Sequence, residues 1–270
     1  MAHTTICLIN QKGGCGKSST CFHLAGAMAR AGLDVLLVDA DPQGSLSQGF
    51  FGSLLVEQLQ PHESIAQLFD EDSFTSTPCN LIRPTEHERI SVCAANHQLA
   101  GFNTPNPETT GLTQFAFREF LDEQIGFDFV LIDCPPNLYR CSWTALLAAD
   151  YVIVPVPPED FGTQGLRAVH QAIDNARQLN LGLRRLGHLV TRHDRRLLVH
   201  RSYEQRLREL HGEMVLDTVI PEASAFKVAL TCRKPVEFHS PRSAAADLTR
   251  ALCREILARI AMKNTKQHVA

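Results

Sequence analysis

Short, continuous apolar runs alternate along the chain with stretches of helical period. Residues 5–9, 35–38, 90–94, 129–132, 151–155, 186–191 and 215–220 read as strands. Runs such as Val35-Leu36-Leu37-Val38 lack polar alternation, as strands buried on both faces do. Between them, apolar positions recur at helical spacing over residues 17–31, 112–124, 141–149, 163–179 and 198–211. A last helix over 243–261 places Leu248, Leu252, Ile256 and Ile260 on one stripe. Gly32 is a natural stop for the first helix. This alternation predicts an α/β fold, a mostly parallel twisted sheet with helices on both faces. Residues 45–85 are less regular, with a short helix near 64–69 and turn-rich ground at 73–78. Residues 103–111, with Pro105 and Pro107, read as a surface loop, and residues 1–270 as one domain.

The candidate chemistry lies at the ends of the predicted strands. The first strand runs into Lys12-Gly13-Gly14-Cys15-Gly16-Lys17-Ser18-Ser19 and then directly into a helix. A glycine-rich turn at a helix N-terminus cradles phosphate, because free backbone N–H groups and the positive end of the helix dipole converge there. Lys17 is placed to reach the β- and γ-phosphates, and the Ser18 hydroxyl to hold Mg²⁺. The second strand delivers Asp39-Ala40-Asp41-Pro42-Gln43-Gly44 and the fourth Asp133-Cys134-Pro135-Pro136, both at carboxyl ends, where α/β sheets collect ligands. Asp133 fits the Walker B role, a hard oxygen ligand reaching a hard cation through water.

The ordinary phosphate-loop pattern has glycine at the position of Gln11, with a lysine not required beside it. The loop found here, with Lys12 near its start, is the deviant Walker A form, and the chain resembles bacterial partition ATPases of the ParA/MinD type. The resemblance covers nearly the whole chain, extending through Pro155-Val156-Pro157-Pro158-Glu159, Gly165-Leu166 and Ile220-Pro221. It implies ATP and Mg²⁺ as cofactors, Asp41 orienting the attacking water and Asp39 supporting the metal shell. Lys12 would cross a nucleotide-sandwich homodimer to the partner subunit's ATP, with Gly13 small at that interface. It also implies slow hydrolysis, non-specific DNA binding by the ATP-bound dimer, and release when a ParB-like or other cargo adaptor stimulates turnover. The location implied is cytoplasmic and nucleoid-associated. The first strand begins at Thr5, so the resemblance is to the short form, without a helix-turn-helix domain ahead of the loop.

Charge adds a candidate surface. Residues 1–180 carry 9 Lys+Arg against 20 Asp+Glu, a balance of −11, whereas residues 181–270 carry 17 against 9, a balance of +8. A basic C-terminal third suits either a polyanion-binding face or solvated helix surfaces. Arg192, Arg195, Arg196, Arg201, Lys227, Arg233, Lys234 and Arg242 are the candidate DNA contacts. After Ile220-Pro221, where many relatives carry an arginine-rich turn, this chain has Glu222-Ala223-Ser224-Ala225-Phe226-Lys227.

Other classes fit less well. No run of about 18 apolar residues spans a membrane. A MinD-like ATPase acting on a membrane or protein scaffold is the alternative reading, but the last helix leads into polar residues 263–268 where a membrane-binding amphipathic helix would need bulky apolar ones. Nine cysteines without one Cys-x-x-Cys pair suit reduced thiols better than disulfides, zinc or a shared cluster. The twelve histidines show no metal-ligand spacing.

Overall fold

In the computed structural model, residues 3–70, 81–158 and 163–267 are described. The turn-rich stretch 73–78 and the turn at Glu159-Asp160 lie outside them. Seven strands form one sheet: β1 Thr4–Leu8, β2 Val35–Asp39, β3 Ile82–Pro84, β4 Ile90–Cys93, β5 Phe129–Asp133, β6 Tyr151–Val156 and β7 Arg184–Val190. Their order is β3-β4-β2-β5-β1-β6-β7, all parallel except β3, which is antiparallel to β4. The helices are α1 Lys17–Arg30, α2 Ser45–Phe51, α3 Ser53–Glu57, α4 Ala116–Asp122, α5 Arg140–Ala148, α6 Thr163–Ala176, α7 Leu198–His211, α8 Ser224–Thr231, α9 Val236–His239 and α10 Ala244–Gln267.

Each apolar run serves two cores, because successive strand residues point to opposite faces. Cys7, Leu36, Val38, Val130 and Ile132 pack with Phe117, Leu146 and Val169 on one side. Ile6, Leu8, Val35, Leu37, Phe129 and Leu131 pack with Phe22, Met28, Leu252 and Ile256 on the other. The second face is therefore covered by α1 and α10. Asp39 and Asp133 continue the odd-numbered series of β2 and β5, so both carboxylates fall on the α1 face.

Four expectations change. Residues 215–220 form no strand: only isolated bridges pair His188 with Val215 and His193 with Pro221. The Asp217 and Thr218 N–H groups donate instead to the Glu255 carboxylate, both at 2.8 Å, which diverts them from a ladder. The predicted helix over 112–124 opens as a 3₁₀ turn, Gly111–Phe115, before α4. There Thr113 and Gln114 are tied to Arg140 and Trp143 of α5. The irregular region 45–85 holds α2, α3 and the edge strand β3, whose three residues end in proline and carry no readable period. The segment after Pro221 forms α8 and α9, which were not expected as helices.

The α1–α9 contact is close enough to test. A Cβ on Gly26 would lie 2.4 Å from Pro235 Cβ, inside van der Waals contact with a rigid ring. Alanine gains up to about 1 kcal/mol of helix propensity there, while overpacking costs about 1–3 kcal/mol. Gly26→Ala is thus expected to lower the denaturant midpoint, by a net loss of up to about 2 kcal/mol, with the m-value unchanged.

Candidate functional site: a phosphate loop over two buried carboxylates

The turn between β1 and α1 adopts left-handed backbone at Gly14 (φ 69°) and Gly16 (φ 90°), which glycine takes without steric cost. Gly16 is the N-cap of α1 and supplies no side-chain acceptor, so N–H groups of the first turn stay available to an anion. Lys17 is buried, with its ammonium drawn into the loop by the carbonyls of Asn10 (3.1 Å) and Lys12 (3.2 Å). Asn10 anchors the other end, donating to the Pro155 carbonyl and accepting from the Lys12 N–H.

This loop forms one wall of a cavity of about 490 Å³. Residues 13–20, Asp41, Gln43 and Pro136 line it, opposite Thr191, Arg192 and the segment Ile220–Ala223 with Phe226 and Lys227. Thr191 Oγ1 donates to the Cys15 carbonyl at 2.7 Å, and Arg192 donates to the Gly14 carbonyl at 3.0 Å. Thr191, Glu222 and Phe226 are site residues that the sequence did not disclose. Glu222 and Phe226 lie in the segment after Pro221 already singled out in the sequence, which the structure shows to be cavity wall, whereas Thr191 at the end of β7 carried no signal.

The carboxylates occupy two levels. Asp41 lines the cavity, with Oδ1 accepting from the Gln43 N–H at 3.0 Å and Oδ2 without a partner among the described residues. Asp39 lies below, fully buried; Oδ2 accepts from Ser47 N–H and Oγ–H, and Oδ1 from the Asp41 N–H. Burial pushes Asp39 up to about 7, against the pull of the Ser47 bonds. Asp133 stands opposite Asp39 in the β2–β5 register, also fully buried, and neither of its oxygens has a hydrogen-bond partner of normal geometry. Burial, then the Asp39 carboxylate, push Asp133 well above the usual carboxylate range, while the Ser18 hydroxyl and Lys17 pull it down. Two orphaned carboxylate oxygens beside a serine hydroxyl form the hard-oxygen donor set that suits Mg²⁺.

The basic candidates divide. Arg192 and Lys227 are engaged at the cavity rim, both paired with Glu222 (3.3 and 2.6 Å). Arg196 pairs with Asp194 at 2.7 Å, and Arg233 packs against Gly52. Arg195, Arg201, Lys234 and Arg242 are exposed without an ion-pair partner among the described residues.

A strand, a glycine turn closed by Lys17 and Ser18, and an acidic residue ending the neighbouring strand together define a P-loop NTPase, here with the second lysine of the deviant Walker A form. The family described as AAA domain matches residues 3–184. The chromosome-partitioning ATPase Soj of Thermus thermophilus is 35% identical over 94% of this chain and 96% of its own length. The chromosome partitioning protein ParA of Myxococcus xanthus is 31% identical over 98% and 92%. The chain belongs to the Soj/ParA family of partition ATPases. The fold is also that of a cobyrinic acid a,c-diamide synthase from Mycobacterium smegmatis, solved with a bound ATP analog and magnesium (TM-score 0.78, 27% identity, 95% of this chain and 94% of that one).

Proposed function

We propose that this protein is a Mg²⁺-dependent ATPase whose ATP-bound homodimer binds DNA without sequence preference and lets go when a cargo adaptor stimulates hydrolysis. The observation that carries the dimer is Gly13. It is exposed, its backbone is not in the left-handed region, and nothing lies within 4 Å of where its Cβ would be. Neither strain nor packing within one chain calls for glycine there; Gly13 lines the cavity, where a bound nucleotide and a second copy both approach the backbone closely, and the proposed dimer uses that open approach.

Bound ATP supplies the phosphoryl group, and Mg²⁺ neutralises its charge. Around them, the first-turn N–H groups of α1 and the Lys17 ammonium would hold the β- and γ-phosphates, and Ser18 and Asp133 would hold the ion. Both Asp39 oxygens are already bonded to Ser47 and the Asp41 backbone. Its support of the metal shell is thus indirect, through the turn that aims Asp41. Asp41 Oδ2 orients the attacking water, and Lys12 meets the partner's nucleotide across the two-fold axis. DNA contact falls to the exposed Arg195, Arg201, Lys234 and Arg242, with Arg196 and Arg233 beside them. The expected site of action is nucleoid DNA in the cytoplasm.

Retention on non-specific DNA should require ATP and fall by about 10²-fold between roughly 50 and 200 mM salt, as four or so phosphate contacts imply. Liposome pelleting in ATP, ADP and no nucleotide tests the rival surface. DNA retention indifferent to nucleotide and salt, or ATP-dependent pelleting with liposomes, would overturn the DNA reading.

A further inference from the structure

Three histidines far apart in sequence meet on the other side of β7 from the phosphate loop's helix. His170 comes from α6, His188 from β7 and His211 from the last turn of α7. One ring nitrogen from each lies within 4.8 Å of the other two. The ring centroids are 4.6 Å apart for His188 and His211, 5.1 Å for His170 and His188, and 5.8 Å for His170 and His211. We propose that His170, His188 and His211 bind one divalent transition-metal ion of the Zn²⁺ class.

The second observation is unsatisfied polarity. His188 is only 2% exposed, yet its Nδ1 has no hydrogen-bond partner, and neither has the buried Nε2 of His170. An orphaned buried polar atom costs about 1–3 kcal/mol, and two in one cluster are hard to explain as ordinary core packing. Burial also disfavours the imidazolium form of all three rings, which leaves lone pairs available. Neutral imidazoles suit Zn²⁺, Cu²⁺ and Ni²⁺ and not Mg²⁺, so the ion differs in class from the one at the phosphate loop. The nearby Arg185 cation is held by Asp174 at 2.7 Å and donates to the His170 carbonyl, so its charge is compensated locally.

A tetrahedral ion at about 2.0–2.1 Å from each nitrogen brings the nitrogens to about 3.3 Å from one another. Closing from 4.8 Å asks for side-chain rotation by His170 and His211, which are half-buried on helices, while His188 stays fixed in the strand. Three ligands would leave a fourth position for water or an exogenous donor. The ion would tie β7 to α7, the two elements that flank residues 191–197 and so hold Thr191 and Arg192 against the loop.

Calorimetric titration of the chelator-treated full chain with Zn²⁺ should give one high-affinity ion per chain. His170→Asn and His211→Asn should each weaken it by about 100-fold or more, beyond the usual loss of a supporting hydrogen bond. Co²⁺ loading should give visible bands of a nitrogen and oxygen site without thiolate charge transfer. Either variant, folded by circular dichroism, keeping wild-type affinity would overturn the proposal, as would a thiolate band. Should both variants fail to fold, the imidazole ¹³C–¹H resonances of the unmodified chain decide: one equivalent of Zn²⁺ must shift three of them together, and no shift refutes the site.

Discussion

Asp41→Ala is expected to run as a stable dimer in ATP and Mg²⁺, as a monomer in ADP, and to hydrolyse ATP about 10²–10⁴ times more slowly than the wild type. The size of the effect follows from position. Asp41 is the carboxylate that lines the cavity, and the Gln43 N–H fixes its Oδ1, leaving Oδ2 without a partner among the described residues. The fold should tolerate its loss. The Asp41 backbone keeps its bonds to Asp39 and Gly44, and only the Gln43 N–H loses an acceptor, at a part-buried site. Asp41→Asn keeps that acceptor but removes the charge, so it should trap the dimer equally. Light scattering after size exclusion, beside single-turnover phosphate release, reads both halves. Monomer alone in ATP would remove Asp41 from this role and weaken the dimer reading with it.

The sequence was most readable where one local constraint governs. Strands buried on both faces cannot alternate, so β1, β2, β5 and β6 stand out as unbroken apolar runs, and their odd and even residues sort into the two cores. The loop was equally plain, since Gly14 and Gly16 occupy left-handed backbone that few other residues accept. Legibility failed where the constraint is long-range. The N–H groups that would have made a strand of residues 215–220 are diverted to Glu255, 37 and 38 residues away. The Cys15 carbonyl that Thr191 satisfies lies 176 residues back along the chain. The histidine triad has the same cause: its members share no spacing because three separate elements supply them.

Basic residues in the C-terminal third illustrate how composition misleads about individual side chains. Arg192 and Lys227 contribute to the positive balance of that region, yet both are committed to Glu222 at the cavity rim. Glu222 stands in the segment Glu222-Ala223-Ser224-Ala225-Phe226-Lys227, directly after Pro221. Glu222 therefore makes this stretch an ion-paired wall of the cavity. On the proposed DNA reading the contacts fall to exposed cations elsewhere, which is why a salt slope near four contacts, and not eight, is the expected value.

Asp133→Asn should make the nucleotide-free protein more stable while abolishing the response to Mg²⁺. The wild-type carboxylate is fully buried, has no well-formed hydrogen bond to either oxygen, and faces Asp39 across the register. Such a group disfavours the folded state whenever it must ionise, by about 1–3 kcal/mol for an unsatisfied buried polar group. Asparagine has the same shape without the charge, and it relieves the repulsion on Asp39. The pH dependence has a definite sign. Both acids have folded-state pKa values raised above those of the unfolded chain, with Asp39 pushed up to about 7. The folded form therefore holds its protons more tightly, and wild-type stability declines as pH rises from the unfolded-state carboxylate range at about 4, the Asp39 share levelling off above about 7. The variant's advantage should be smallest at about pH 4 and grow toward about pH 8, at about 2–4 °C in melting temperature per kcal/mol. With ATP present, Mg²⁺ should raise the wild-type melting temperature and leave the variant unmoved. A variant that is less stable at both pH values, or that still responds to Mg²⁺, would show that Asp133 is a structural carboxylate and not a support for the ion.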